Sequence, residues 1–256
     1  MEAVILCGGL GTRMREETEF KPKPMVTIGG RPILWHIMQY YRSFAVRDFA
    51  LCLGYKGEVI RDYFLNYRIH NGDVEVDLAT GTHKILREDR IDWRVRLIDT
   101  GSESQTAARL RIASAQLQGD CCFVTYGDGL STVNLDQLLA FHRASGKRAT
   151  VTAVRPPSRF GELQIEGSLI HSFIEKPQTG AGWINGGFMV FETAFLRTLP
   201  DNYDLSLEGS VLEELAACRQ LAVFPHEGFW QCMDTYREMQ LLNEMWAGGN
   251  APWKSW

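Results

Sequence analysis

The sequence opens with MEAVILCGGLGTRMREETEFKPKPM (residues 1–25), in which a short apolar run gives way to a glycine-rich loop. The apolar run, residues 4–6, is typical of a buried strand. Glycine weakens the interior of a strand, so Gly8, Gly9 and Gly11 indicate a loop whose backbone bends sharply or approaches another group closely. This pattern suits a loop that holds phosphate, but a plain turn between a strand and a helix has the same pattern.

Polar and positive side chains follow this loop. Thr12 offers a hydroxyl, and Arg13 offers a planar set of donors that suits phosphate oxygens. Lys21 and Lys23 lie in KPKPM, where the prolines restrict the backbone and disfavour a helix. The loop matches neither the Walker pattern nor a complete GxGxxG, because the third glycine position is Met14. These residues alone fit a phosphate-binding loop and a solvated basic loop equally well.

Strand-like and helix-like segments alternate along the chain. Continuous apolar runs at 49–54, 121–126 and 149–154 predict buried strands, and the alternating stretches 74–78 and 94–98 predict half-buried ones. Helical spacing of apolar residues predicts helices at 32–44, 58–67, 104–117, 135–145, 210–217 and 235–246. This order predicts an α/β fold with a Rossmann-like, mostly parallel mixed sheet flanked by helices. Such a sheet binds ligands at the carboxyl ends of its strands.

The composition indicates a folded chain without nucleic-acid or membrane partners. Of the 256 residues, 45% are hydrophobic, and the formal net charge is -4. This charge disfavours nucleic-acid binding, and no apolar run approaches the length of a membrane span. The N-terminus has no charged-then-apolar leader, so we expect a cytoplasmic protein. The six cysteines include no CxxC pair, which argues against a zinc site and favours free, buried thiols.

Several short motifs carry a resemblance to a known family. They are GGLGTRM (8–14), KPKPM (21–25), IGGRPILWHIM (28–38), GYKGEVIRDYF (54–64), LIDTG (97–101), TYGDG (125–129), RFGEL (159–163), EKP (175–177), WINGGF (183–188) and GFWQCMDT (228–235). With these motifs the chain resembles the sugar-1-phosphate nucleotidylyltransferases over nearly its whole length. These enzymes join a nucleoside triphosphate to a sugar 1-phosphate and release pyrophosphate. The later motifs are similar to those of members that use CTP and α-D-glucose 1-phosphate, so they imply CDP-glucose as the product.

The resemblance implies a division of labour within a single domain, residues 1–256. Residues 1–130 would mainly bind the nucleotide, and residues 131–256 would mainly bind the sugar phosphate and make subunit contacts. Arg13 and Lys23 would be catalytic. Arg13 would contact the departing β,γ-phosphates, and Lys23 would bridge the α-phosphate of the nucleotide and the phosphate of the sugar. The positions implied for nucleotide binding are Leu6, Gly8, Gly9, Gly11, Thr12, Arg13, Thr100, Gly101, Arg109, Gly127 and Asp128.

Mg²⁺ is the cofactor that the resemblance implies, with Asp128 and Asp234 as its ligands. Proteins commonly hold this ion through one or two carboxylates together with substrate phosphates. The residues themselves leave other roles open, because Asp128 in GDG is typical of a turn and Asp234 could cap the helix after it. Lys21 is the nearest alternative to Lys23 for the catalytic lysine.

The positions implied for sugar-phosphate binding are Gly161, Glu175, Lys176, Asn185 and Gly186. Glu175 would bind sugar hydroxyls, and Lys176 would bind the sugar phosphate. Residue chemistry alone also permits Glu175 and Lys176 to be a solvated pair at the end of a strand. The pair Asn185-Gly186 is in addition a strong signal for a hairpin turn.

Two departures from the family pattern bear on the choice of substrate. Ala107 and Ala108 stand where the pattern has glycines before Arg109, for which Arg111 is the nearest alternative. Residues 206–216 also differ from the corresponding family motif. These departures leave open a uridylyl or thymidylyl transferase, or an enzyme for another hexose 1-phosphate. A non-catalytic nucleotide-binding protein is the alternative from a different class.

The resemblance also predicts an assembly and a metabolic context. Members of the family form oligomers, so we expect a homo-oligomer. Trp253 and Trp256 in the C-terminal tail are candidates for its interface, because tryptophan is enriched at protein–protein contacts. The implied product, CDP-glucose, would serve as a precursor of deoxysugars for surface polysaccharides such as O-antigen.

Overall fold

The computed structural model of the chain describes residues 1–9, 11, 14–87, 91–156, 162–166, 169–174 and 182–256. The strands are β1 (Glu2–Leu6), β2 (Thr27–Ile28), β3 (Arg31–Pro32), β4 (Asp48–Leu53), β5 (Asp73–Asp77), β6 (Thr82–Arg87), β7 (Arg94–Asp99), β8 (Cys121–Tyr126), β9 (Gly129–Ser131), β10 (Ala149–Val154), β11 (Glu162–Glu166), β12 (Leu169–Ile174), β13 (Ile184–Glu192), β14 (Leu221–His226) and β15 (Trp230–Cys232). The α-helices are α1 (Arg15–Thr18), α2 (Ile33–Ser43), α3 (Gly57–Leu65), α4 (Tyr67–His70), α5 (Thr106–Ser114), α6 (Leu135–Ser145), α7 (Thr193–Thr198), α8 (Glu213–Ala217) and α9 (Tyr236–Ala247). A short 3₁₀ helix covers Lys23–Met25, and a π-helix covers Leu207–Leu212.

The main sheet has seven strands in the order β14-β10-β13-β8-β1-β4-β7. Neighbouring strands are parallel except at β13, which runs antiparallel to both β10 and β8. Strands from both halves of the chain therefore belong to one sheet. The predicted α/β fold, with a mostly parallel mixed sheet, is confirmed.

The first strand, β1, lies inside this sheet, and all five of its residues are buried. Ala3 and Ile5 belong to one apolar cluster, which includes residues of α2. Val4 and Leu6 belong to a second cluster, which includes residues of α5. Since helices cover both faces of the sheet, its inner parallel strands β1, β4 and β8 are mainly apolar and almost wholly buried. This explains why the buried strands can be predicted from continuous apolar runs.

One predicted strand lies outside the main sheet. Strands β5 and β6 pair only with each other in an antiparallel hairpin, and most of their side chains are exposed. The expectation of a half-buried strand at 74–78 is therefore wrong, because no other layer of the described structure covers this hairpin. The strand predicted at 94–98 is confirmed as β7, which pairs with β4 and is partly buried.

The C-terminal tail packs on its own chain. Trp253 is fully buried, and its ring stacks on Phe229 with 5.6 Å between ring centroids. The expectation that Trp253 lies in a subunit interface is therefore wrong, because it belongs to the core of its own chain. Trp256 is partly exposed and packs edge-on against Trp35 with 5.9 Å between centroids.

Buried His36 on α2 connects this tail to the rest of the core. His36 Nε2 donates to the carbonyl of Ile28 at 2.8 Å, and Trp253 Nε1 donates to His36 Nδ1 at 3.4 Å. This pattern requires the neutral imidazole, with the tautomer assigned from its partners. Burial lowers the pKa of His36 to about 4, so the ring stays neutral near pH 7.

The cysteines agree with a further expectation from the sequence. All six cysteines are free, and Cys7, Cys52, Cys121 and Cys122 are buried. Burial raises the pKa of Cys52 to about 12, so its thiol stays protonated. In the part of the chain that the structure describes, no helix has the length and apolar character needed to cross a membrane.

Candidate active site

A cavity lies where parallel strands end at one edge of the main sheet. The register of the sheet pairs Leu6 at the end of β1 with Tyr126 of β8 and with Cys52 of β4. The loops that follow these strands therefore meet at this edge, and the cavity among them has a volume of about 510 Å³. The predicted site residues that line it are Leu6, Gly8, Gly9, Gly11, Lys23, Arg109, Gly127, Asp128 and Asp234.

Three charged side chains meet in this cavity, and we call them the charge cluster: Lys23, Asp128 and Asp234. Lys23 Nζ donates to Asp128 Oδ2 at 2.6 Å and also to Asp234 Oδ1. Burial opposes the charge on Lys23, but the two carboxylates raise the pKa of Lys23 above its ordinary value. The cluster is therefore one ammonium held between two carboxylates.

Local structure explains why these distant residues meet. Lys23 begins the 3₁₀ helix, which the buried Met25 anchors in the core. Asp128 follows β8, and Asp234 follows β15. Strand β15 pairs with β9 in antiparallel register, and the backbone N–H of Met233 donates to the carbonyl of Asp128 at 2.9 Å. This short ladder fixes the two aspartates next to each other.

The structure also decides between the alternatives for these residues. Thr235, not Asp234, caps helix α9, because its side chain accepts from the backbone N–H of Glu238 in a capping box. The carboxylate of Asp234 instead accepts from Lys23 Nζ. Lys21 forms an ion pair with Glu17 of α1 at 3.2 Å. The placement of the two lysines favours Lys23 over Lys21 for the site.

Two carboxylates with hard oxygen donors, already holding a cation between them, fit a Mg²⁺ ion that keeps waters and substrate phosphates as its other ligands. Among the described residues, no group of three or more His, Cys, Asp or Glu side chains could hold a metal ion by itself. A metal at this site would therefore depend on the substrates for part of its coordination.

Arg109 hydrogen-bonds to several backbone segments at the wall of the cavity, and we call this arrangement the brace. It lies in the first turn of α5, is only 4% exposed, and lines the cavity. One terminal nitrogen donates to the carbonyls of Leu53 at 3.1 Å and Gly101 at 2.7 Å, and the other donates to the carbonyl of Gly8 at 3.2 Å. Its donors are thus directed at the protein backbone. Arg109 joins the glycine loop to the loops that follow β4 and β7.

Two other residues predicted for nucleotide binding, Thr100 and Gly101, accept hydrogen bonds from Arg109. The buried Thr100 donates to the carbonyl of Leu53 at 2.6 Å and accepts from Arg109 at 2.8 Å, so its hydroxyl is engaged within the protein. Neither Thr100 nor Gly101 is among the described residues that line the cavity. Arg111 donates to the carbonyl of Leu199 at 3.0 Å and does not line the cavity, which favours Arg109 over Arg111.

The structure describes part of the predicted sugar side. Asn185 and Gly186 lie in β13, where Asn185 pairs with Ala153 of β10 near the same edge of the sheet. The alternative of a hairpin turn at this pair is therefore wrong. Asn185 Oδ1 accepts from the backbone N–H of Gly187 at 3.0 Å, and Gly186 accepts from Trp230 Nε1 at 2.7 Å. The remaining predicted positions, Thr12, Arg13, Gly161, Glu175 and Lys176, lie outside the described residues.

Sequence reasoning missed one wall of the cavity. The polar segment 102–106, which runs into α5, lines it together with Cys7, Pro24 and Tyr126. Tyr126 was within a motif of the resemblance, TYGDG, but carried no predicted role. Segment 102–106 directly follows LIDTG at the end of β7, so its position after a parallel strand is the signal that could have indicated it.

The chain belongs to the nucleotidyl transferase family, whose family model matches residues 2–232. Over the full length of both proteins, it is 46% identical to the glucose-1-phosphate cytidylyltransferase of Salmonella typhi. It is 41% identical to a probable glucose-1-phosphate cytidylyltransferase of Bacillus subtilis, again over the full length of both. The resemblance predicted from the motifs is thereby confirmed.

Solved structures show the same fold. The crystal structure of HddC from Yersinia pseudotuberculosis aligns with a TM-score of 0.69 and 22% identity, and the alignment covers 96% of this chain and 99% of that one. At 22% identity, this similarity shows the shared fold alone. It supports the mostly parallel sheet and the arrangement of helices around it.

Gly8→Ala tests the brace formed by Arg109. A Cβ at position 8 would lie 2.2 Å from Arg109 Nη1, and this guanidinium cannot move without losing its backbone partners. We expect the free energy of unfolding, measured with denaturant, to fall by about 2 kcal/mol. Gly9→Ala is the matched control, because a Cβ there meets no atom within 4 Å. Equal losses for the two variants would contradict the brace.

Proposed function

We propose that this chain transfers the cytidylyl group of CTP to α-D-glucose 1-phosphate, forming CDP-glucose and pyrophosphate. The full-length identity of 46% to a glucose-1-phosphate cytidylyltransferase carries the choice of substrates. The charge cluster, in a cavity beside a glycine loop, supports the chemistry, because it combines a cation for phosphates with a pair of acidic side chains. The enzyme would be cytoplasmic, where CTP is made.

The reaction is a direct displacement at the α-phosphorus of CTP. An oxygen of the sugar phosphate forms a new bond to this phosphorus, and the bond from the phosphorus to the oxygen that bridges the α- and β-phosphates breaks. Pyrophosphate leaves with the electron pair, so no covalent enzyme intermediate is needed. Both substrates are anions that repel each other, and catalysis consists mainly of aligning them and neutralising their charge.

Lys23 is the described residue best placed to do this. Its ammonium lies in the cavity on a short helix whose following residues are buried, so its position is fixed before substrates arrive. We assign it to the α-phosphate of CTP and the phosphate of the sugar. Arg13 would contact the departing phosphates, while Glu175 and Lys176 would bind the sugar hydroxyls and the sugar phosphate. The last three assignments rest on the resemblance.

Asp128 and Asp234 would hold Mg²⁺. When bound, the ion would neutralise phosphate charge and help to orient the two substrates. The carboxylates have a second role, because they position the Lys23 ammonium by accepting its hydrogen bonds. Both roles place the same two side chains at the phosphates, which is consistent with a single site for metal and substrate.

An activity grid tests the proposed function. The purified chain is incubated with CTP, UTP or dTTP and with glucose 1-phosphate or mannose 1-phosphate, with Mg²⁺ or with EDTA, and pyrophosphate release is measured. We expect turnover with CTP and glucose 1-phosphate to exceed that of the other pairs at least about tenfold and to stop with EDTA. Comparable turnover with UTP would refute the choice of CTP. Absence of pyrophosphate from every pair would indicate a non-catalytic nucleotide-binding protein.

We further propose that the chain forms a homo-oligomer through the β5–β6 hairpin. An isolated two-stranded hairpin is marginally stable in water, and this one exposes Val76, Leu86 and Leu78, the last at 90%. Several large apolar side chains exposed on one short hairpin favour an interaction site over a free surface. A second copy of the chain would cover them and give the hairpin the packing it lacks among the described residues.

Size-exclusion chromatography with light scattering measures the mass of the assembly in solution. The expected mass is a multiple of the 29.0 kDa of one chain, and Leu78→Asp should reduce it because a carboxylate would enter the interface. Val223→Asp is the control, since Val223 is also exposed but lies on β14, at the edge of the sheet away from β7. A monomeric wild type, or dissociation by Val223→Asp alone, would exclude the hairpin as the interface.

A further inference from the structure

The carboxylate of Glu208 joins two walls of the cavity. Its Oε1 accepts from the hydroxyl of Tyr126, and its Oε2 accepts from the hydroxyl of Thr106 at 3.0 Å. Tyr126 ends β8 and Thr106 begins α5, and both line the cavity. Glu208 itself is exposed on the π-helix and is not among the described lining residues. It therefore acts on the cavity through the two hydroxyls.

The wall at the start of α5 has supports that do not depend on this carboxylate. The backbone N–H of Gln105 donates to the carbonyl of Tyr203 at 2.7 Å, and that of Ala107 donates to the carbonyl of Leu205 at 3.1 Å. These bonds satisfy the amide groups that the first turn of a helix leaves without intrahelical partners. Removal of the Glu208 side chain would leave them intact, so α5 and Arg109 on it would stay in place.

Tyr126 depends more strongly on Glu208. The phenol of Tyr126 donates a hydrogen bond to the Glu208 carboxylate, and this bond connects the end of β8 to the π-helix. The ring lies so close to β13 that a Cβ on Gly187 would be 2.5 Å from its Cδ2 atom. Asn185 lies in the same strand, two residues before Gly187, and its Oδ1 accepts from the backbone N–H of Gly187 at 3.0 Å. Tyr126 thus lies between Glu208 and the predicted sugar side of the site.

We infer that Glu208 is a positioning residue for the sugar 1-phosphate. By holding the hydroxyl of Tyr126, it fixes the Tyr126 ring against β13, the strand that carries Asn185, on the predicted sugar side of the cavity. The inference rests on the proposed function, because Asn185 is assigned to the sugar through the resemblance. Since the wall beside the nucleotide has its own backbone supports, loss of Glu208 should affect the sugar phosphate and spare CTP.

Steady-state kinetics of Glu208→Ala test this inference. We expect the KM for glucose 1-phosphate to rise about tenfold, while the KM for CTP changes less than about threefold. Tyr126→Phe should raise the same KM by a similar factor, and the double variant should be no worse than either single variant. Glu208→Gln, which keeps an acceptor for Tyr126, should recover most of the loss. Glu214→Ala, at an exposed glutamate on the adjacent helix, is the matched control.

Three results would overturn the inference. They are an unchanged KM for glucose 1-phosphate in Glu208→Ala, an equal rise of KM for both substrates in this variant, or additive effects of Glu208→Ala and Tyr126→Phe on the KM for glucose 1-phosphate. If Glu208→Ala fails to fold, Tyr126→Phe decides instead, because it removes the same hydrogen bond: an unchanged KM for glucose 1-phosphate, or equal rises for both substrates, would overturn the inference. A wild type without activity would refute the proposed function instead. In that case the inference is tested by the unfolding midpoints, without ligand, of the wild type, Glu208→Ala, Tyr126→Phe and the double variant. Additive shifts of the midpoint would show that Glu208 does not hold Tyr126.

Discussion

The ammonium of Lys23, held between the carboxylates of Asp128 and Asp234, is the interaction on which the site depends. Its partners lie 105 and 211 residues further along the chain. Without the cation, two carboxylates would face each other at close range, which like charges disfavour. Buried ion pairs are weak evidence for stability, because desolvation offsets much of their attraction. The proposed function explains the cluster better, since the proposed mechanism uses a fixed cation and two acidic ligands beside phosphates.

A second buried cation organises the same cavity in a different way. Arg109 directs its donors to backbone carbonyls, among them that of Gly8. The glycine loop is therefore held by the protein before any phosphate arrives, and its position costs little reorganisation during the reaction. The two cations have separate tasks: Lys23 lies in the cavity, where we propose that it meets the substrates, whereas Arg109 holds the carbonyl of Gly8 in the glycine loop. Segment 203–208 extends this support, because it holds the start of the helix that carries Arg109.

Much of the fold could be predicted because parallel strands buried on both faces leave continuous apolar runs, as in β1, β4 and β8. The antiparallel direction of β13 could not be predicted, since a strand buried inside the sheet is apolar whichever way it runs. The six residues of β6 escaped prediction because this exposed strand has little apolar pattern. Asp128 and Asp234 could be paired only through the resemblance, and only the structure shows that Arg109 is directed at carbonyls.

The rate of CDP-glucose formation by Lys23→Ala at saturating CTP, glucose 1-phosphate and Mg²⁺ tests the central claim most directly. Lys21→Ala is the matched control, because Lys21 forms an ion pair with Glu17 of α1 and does not line the cavity. The account predicts a loss of at least about 10²-fold for Lys23→Ala and less than about twofold for Lys21→Ala. A folded Lys23→Ala enzyme with the wild-type rate would contradict it.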